Sequence, residues 1–155
     1  MFFSKKYKIT APVSGKCAPV SQSTDAVFKD KVLGDGIVIE PQNGKILAPV
    51  AGTVVQVAHT KHAFAIEGDG GAEVLVHLGV DTVKLGGEGF TCHKAVGDKV
   101  KAGEHFMDMD ISLIRERGYS PEVLCIVLNL DQFKDLSISE GMVQAGSSDV
   151  MTLTK

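Results

Sequence analysis

"HAFAIEGDGGAEVLVHLG", residues 62–79, is the stretch whose reading decides the fold. Apolar residues alternate with polar or small ones on both sides of "EGDGGA", the pattern of two half-buried strands joined by a tight turn. Asp69-Gly70 is a favoured central pair for a two-residue type I′ turn, which needs positive φ at both positions. With the turn centred there, residues whose numbers sum to 139 face each other: Ile66 with Glu73, Phe64 with Leu75, His62 with His77. A symmetric four-residue loop keeps that register, whereas a three- or five-residue loop shifts it. In the expected register the two imidazoles are cross-strand neighbours with Cβ atoms about 4.5–5.5 Å apart. Thr60, His62 and Phe64 then share one sheet face with Leu75, His77 and Gly79, and Asp81 joins them if the strand runs on. Gly79 would leave open space beside His77.

The rest of the chain reads the same way. Short β-like runs at 36–41, 52–59, 105–111 and 122–129 are bounded by Gly, Pro, Asn and Asp, and 17 glycines punctuate them. Long amphipathic helical periodicity is absent. One short helix fits "DISLIRERG" (110–118), with Asp110 or Ser112 capping its start and Gly118 its end, and a single helical turn fits "STDAVFKD" (23–30). "APVSG" at 11–15 returns as "APVAG" at 48–52, and "VKAG" at 100–103 returns as "VQAG" at 143–146. A strand–turn unit used twice produces such echoes. The fold expected is all-β, an antiparallel sandwich or distorted barrel with internal duplication and a few short helices. A length of 155 residues fits one domain, 1–155.

Composition excludes several classes of function. The net charge is −3 and no basic stripe occurs, so a nucleic-acid partner is not expected. No run approaches a membrane span, and "MFFSKKYKIT" is too polar for a signal peptide, so no membrane insertion and a cytoplasmic location are expected. Starting at Met1 leans toward a free-standing chain. Cys17, Cys92 and Cys125 are odd in number and widely spaced, which fits neither a disulfide framework nor a zinc knuckle.

A histidine pair on an apolar strand carries chemistry more readily than packing, for which Val or Leu would serve better. Two imidazolium ions so close would repel, so at least one is neutral at pH 7. Zinc would want a third ligand, for which Asp81 is the available carboxylate; His59 points to the other face, and His93 and His105 read as solvated surface residues. No residue is assigned as a metal ligand and no cofactor is expected. Acyl transfer lacks a GxSxG or a cysteine tied to the pair, and no phosphate-cradling glycine motif occurs. What remains is histidine itself as nucleophile: a neutral imidazole nitrogen accepting a phosphoryl group, with His62 donating to a phosphoryl oxygen and Thr60 fixing the His62 tautomer.

The same residues carry a family resemblance. "TKHAFAIEGDGGAEVLVHLGVDTVKLGGEGF" (60–90) resembles the IIA domain of the glucose family of the bacterial phosphoenolpyruvate–sugar phosphotransferase system. So do "KDKVLGDGIVIEP" (29–41), "ILAPVAGTV" (46–54), "VGDKVKAG" (96–103) and "GMVQAG" (141–146). The resemblance implies a duplicated β-sandwich and a phosphorelay: the phosphocarrier HPr delivers a phosphoryl group, a histidine holds it, and a cysteine on the transporter's IIB domain receives it. By match, His77 takes the phosphoryl group on Nε2, His62 supports it and Thr60 bonds to His62. Asp25 and Asp81 match acidic residues beside the site. Val27, Phe28, Leu75 and Val83 match an apolar collar that meets both partners. The rival reading, a lysostaphin-like zinc hydrolase, would want HxH and HxxxD motifs; residues 77–81 have the second spacing, but no HxH occurs.

Overall fold

The computed structural model describes residues 5–155. Each short apolar run becomes a strand, because a run of three to seven alternating residues can bury one face only against another sheet. The strands are β1 (Lys6–Thr10), β2 (Gly15–Pro19), β3 (Asp35–Pro41), β4 (Lys45–Leu47), β5 (Gly52–Val57), β6 (Ala63–Gly68) and β7 (Glu73–Leu78). They continue with β8 (Phe90–Cys92), β9 (Lys99–Val100), β10 (His105–Met109), β11 (Val123–Val127), β12 (Asp135–Ile138), β13 (Gly141–Val143) and β14 (Asp149–Thr154). Two short helices appear at the two places expected, 23–30 and 110–118. Asp25 caps α1 (Ala26–Lys29); Asp110 caps α2 (Ile111–Glu116), and Gly118, at φ +86°, lies just past its end.

An eight-stranded sheet runs in the order β13-β2-β3-β11-β7-β6-β5-β9. Two three-stranded sheets, β1-β14-β12 and β4-β10-β8, complete the sandwich, and every pairing is antiparallel. The large sheet ends in two edges, β13 and β9, so it does not close; the sandwich alternative holds and the distorted barrel does not. One continuous core lies between the layers, with Ile37, Ile39, Phe64, Ile66, Val76, Leu78 and Cys125 from the large sheet against Ile9, Ile46, Phe106, Met107 and Leu153. Phe64 and Phe106 stack at its centre, ring centroids 3.7 Å apart.

The duplication is complete and collinear. Strands β4 to β10 repeat, in order, the roles of β1, β2, β3, β11, β12, β13 and β14, so the large sheet is a palindrome about the β11–β7 seam. The echoes are the hinges of this arrangement. Thr10 N–H donates to the Pro49 carbonyl and Leu47 N–H to the Pro12 carbonyl, so the two Ala-Pro-Val turns lie side by side. Gly103 N–H donates to Ala48 O just as Gly146 N–H donates to Ala11 O. The glycine closing each Ala-Pro-Val echo cannot be larger. A Cβ on Gly15 would stand 1.9 Å from Glu40 O, and one on Gly52 would stand 2.1 Å from Glu67 O.

The β6–β7 hairpin corrects the expected register. Gly68 N–H donates to Ala72 O and Gly71 N–H to Gly68 O, which leaves a three-residue loop, Asp69–Gly71. Positive φ falls at Gly71 (+92°), not at Asp69 or Gly70. This is a three-residue hairpin loop with its left-handed residue last, not a two-residue type I′ turn. Paired numbers therefore sum to 140: Ala63 faces His77, Phe64 faces Val76, Ala65 faces Leu75. Phe64 points into the core, away from Leu75 and His77.

Candidate functional site

β7 is half-buried in alternation. Val74, Val76 and Leu78 enter the core, while Leu75 and His77 face outward on the large sheet. Next to it, β11 buries both faces: Leu124, opposite His77, and Ile126, opposite Leu75, join Val20, Phe28 and Val38 in a second apolar cluster on that outer face. The segment 20–29, which includes a 3₁₀ turn at Val20–Gln22 and α1, lids this cluster. It sets the Phe28 ring 4.9 Å from the His77 ring.

His62 reaches His77 by a different route from the expected one. The chain turns back at 58–63, where Ala58 N–H donates to Ala63 O and Lys61, at φ +60°, takes a left-handed conformation. The His62 carbonyl accepts from Leu78 N–H at 2.7 Å. The residue lies at the mouth of the hairpin, diagonal to His77, and the rings meet edge to face at 5.2 Å. Thr60 Oγ1 lies 2.6 Å from His62 Nδ1, so Thr60, His62 and His77 are brought together as expected.

Gly79 has a different role from the one its size suggested. Its φ is +84°, and a Cβ there would stand 2.4 Å from Thr82 Cγ2 and 2.9 Å from Ser120 O. There is no open space beside it. Instead its carbonyl accepts from His77 Nδ1 at 2.8 Å. A carbonyl can only accept, so Nδ1 carries the proton and Nε2 presents a lone pair. Burial, and then the neighbouring His62, push the His77 pKa below the ordinary imidazole value, while Asp25, Asp81 and the Gly79 carbonyl pull weakly the other way. Burial lowers that of His62 as well. The pair is neutral at pH 7.

The acidic and apolar residues take their places around this centre. Asp25 caps α1, its Oδ1 accepting from Val27 N–H (3.0 Å) and Phe28 N–H (3.4 Å), while its charge still reaches His77. β7 stops at Leu78, so Asp81 arrives through a turn, at φ +61°, just before a 3₁₀ turn over Thr82–Leu85. Val27 and Val83 are both 50% exposed on those two turns, in keeping with an apolar rim. Leu75 and Phe28 are packed into the second cluster and contribute less open surface.

Two features escape sequence reasoning. Glu122 is buried; its backbone carbonyl accepts from Gly79 N–H (2.8 Å), and its carboxylate accepts from Thr24 N–H (3.2 Å) and the Thr24 hydroxyl. It ties the segment before Asp25 to the segment that fixes His77. Only the position of Glu122 at the head of an apolar run hinted at this. The second is that His93 and His105, expected as solvated singles, share the carboxylate of Asp108.

Residues 7–133 match the sequence model of the phosphoenolpyruvate-dependent sugar phosphotransferase system EIIA 1 family. The chain belongs to that EIIA family. It is 40% identical over 148 residues to the glucose-specific EIIA component of Halalkalibacterium halodurans, covering 94% of this chain and 84% of that one. It is 42% identical over 137 residues to the β-glucoside-specific EIIBCA component of Bacillus subtilis, where the match takes 88% of this chain and 22% of the longer protein. The solved glucose permease IIA of Mycoplasma capricolum superposes with a TM-score of 0.85 at 31% identity, covering 98% of both chains. This EIIA is therefore a phosphoryl-relay component of a sugar phosphotransferase system, and nothing in these likenesses supports the zinc-hydrolase reading. No helix among the described residues is long and apolar enough to cross a membrane.

Proposed function

We propose that His77 receives a phosphoryl group on Nε2 from the phosphohistidine of HPr and passes it to a cysteine of a IIB domain. The observation that carries this reading is the 2.8 Å contact of His77 Nδ1 with the Gly79 carbonyl. It aims the Nε2 lone pair outward before any partner arrives, and such positioning is most of what a phosphoryl transfer asks of the protein. In the first step the P–N bond to HPr breaks as the P–Nε2 bond to His77 forms. In the second, the IIB thiolate attacks phosphorus and His77 leaves as the neutral imidazole. The Nδ1 proton stays in place throughout.

Positive charge develops on the His77 ring as its nitrogen bonds to phosphorus. The Gly79 carbonyl, Asp25 and Asp81 all favour that charge. The same carboxylates repel the phosphoryl oxygens, which keeps the group ready to leave. On the neighbouring ring, the Thr60 hydroxyl donates to His62 Nδ1, which leaves an Nε2–H to donate to a phosphoryl oxygen. Val27 and Val83 form the exposed apolar rim that both partners cover in turn, with Phe28 and Leu75 backing it. The whole of 1–155 acts as one such domain in the cytoplasm, and the names of the relatives point to a glucose-class transporter.

The test is labelling with phosphoenolpyruvate, enzyme I and HPr. The chain should take up one acid-labile, base-stable phosphate, His77→Ala should take up none, and His62→Gln should accept it but pass it on slowly to a glucose-class IIB domain. Unchanged labelling of His77→Ala would refute the assignment.

A further inference from the structure

We propose that His93, His105 and Asp108 form a binding site for a late first-row divalent cation such as Zn²⁺, on a different sheet from His77. Their potential ligand atoms all lie within 4.8 Å of one another. His93 Nε2 is 2.6 Å from Asp108 Oδ2, His105 Nε2 is 2.8 Å from Asp108 Oδ1, and the two ring centroids are 4.6 Å apart.

A bulge assembles the set. Residues 105 and 108 of a regular strand point to opposite faces. Here the pairing of β10 with β4 slips between His105, which faces Leu47, and Met107, which faces Ile46. Phe106 and Met107 consequently both turn into the core at 0% exposure, and His105 and Asp108 both turn outward. His93, one residue past β8 and bonded through its N–H to Phe106 O, completes the set from the neighbouring strand. Two ligands from β10 and a third from the residue that follows its partner β8 sit on a firm base.

The donor set selects the ion. Two imidazoles and one carboxylate suit Zn²⁺, Ni²⁺ or Co²⁺ far better than Ca²⁺ or Mg²⁺, which prefer all-oxygen sites. With bonds of about 2.0–2.2 Å, tetrahedral ligand atoms stand roughly 3.3–3.5 Å apart, so small ring rotations turn the hydrogen-bonded set into a coordinating one. The two histidine side chains are each 40% exposed and the aspartate 49%, which leaves room for that rotation and for water in the fourth position. On binding, each neutral ring carries its proton on Nδ1 and offers Nε2 to the metal.

Calorimetric titration of the reduced, metal-free full chain with ZnCl₂ tests this. One equivalent should bind; His93→Ala with His105→Ala, and separately Asp108→Asn, should weaken binding at least tenfold, and His62→Gln with His77→Gln should leave it in place. Long-range ¹H–¹⁵N spectra of the unmodified protein should show Nε2 of His93 and His105 shifting with the first equivalent, which needs no variant to fold. Loss of binding in the His62/His77 variant but not in the His93/His105 variant would overturn the proposal. So would no saturable binding up to about 1 mM metal, the weak end of useful affinity.

Discussion

Replacing Gly79 by alanine puts one methyl group where the backbone of the site is tightest. At φ +84° the new Cβ meets Thr82 Cγ2 at 2.4 Å and Ser120 O at 2.9 Å. A left-handed conformation costs a non-glycine residue about 1–2 kcal/mol, and overpacking a filled site costs about 1–3 kcal/mol. The sum is about 2–5 kcal/mol, which for a chain of this size lowers the Tm by roughly 4–20 °C. The carbonyl that holds His77 Nδ1 shifts with the backbone. Losing that bond, worth about 0.5–1.5 kcal/mol, should slow phosphoryl uptake by roughly two- to tenfold. Adding Thr82→Ser removes the clashing methyl and keeps a hydroxyl for the Leu78 carbonyl that Thr82 now bonds. The double variant should recover part of the stability, a coupling visible in a double-mutant cycle. Thermal denaturation and a phosphorylation time course read both effects. A Gly79→Ala protein that loses less than about 1 kcal/mol but cannot be phosphorylated would refute the reasoning, because it would mean that Gly79 matters as free space for the incoming group.

Two further outcomes follow from the same centre. His77 has a folded pKa below the unfolded value of 6.5, mainly through burial, so the unfolded chain binds more protons in that window. Stability should therefore fall as pH drops through and below 6.5, and His77→Gln should flatten that loss in denaturant melts; a steeper loss in the variant would show the sign to be wrong. Glu122→Ala leaves the Thr24 N–H without its partner, at a cost of about 1–3 kcal/mol, and frees the segment carrying Asp25 and Phe28. It should slow phosphoryl uptake with the strand framework retained, while Glu122→Gln, which still offers an oxygen to Thr24, should restore much of the rate.

What could be read from the sequence was whatever repeats locally. Short apolar runs bounded by turn residues gave β3, β5, β7, β10 and β11, and the capping Asp110 gave α2. The Ala-Pro-Val and Val-x-Ala-Gly echoes announced the duplication, because close contacts at Gly15 and Gly52 and a left-handed backbone at Gly103 and Gly146 call for the same residue twice. The hairpin register was missed by one residue, since Asp-Gly signals a turn but Gly71, the next residue, sets its length. His62 and His77 still meet, because the turn at 58–63 places His62 at the hairpin mouth, where a diagonal contact replaces a direct one. The Glu122–Thr24 tie and the His93–His105–Asp108 set were invisible: one spans 98 residues, and the other depends on a bulge that breaks the alternation a sequence pattern relies on.

The palindromic sheet has a consequence for how the protein is made. His62 and His77 belong to the inner repeat, β4 to β10, while Phe28 and Leu124, which wall the His77 ring, belong to the outer repeat that brackets it. During synthesis both histidines are made before β11. The nascent chain holds the histidine pair without its full wall, and it gains the rest only when β11 closes on the seam. A walled histidine pair is then a certificate that the two repeats have joined, issued by the last central strand of the large sheet to arrive.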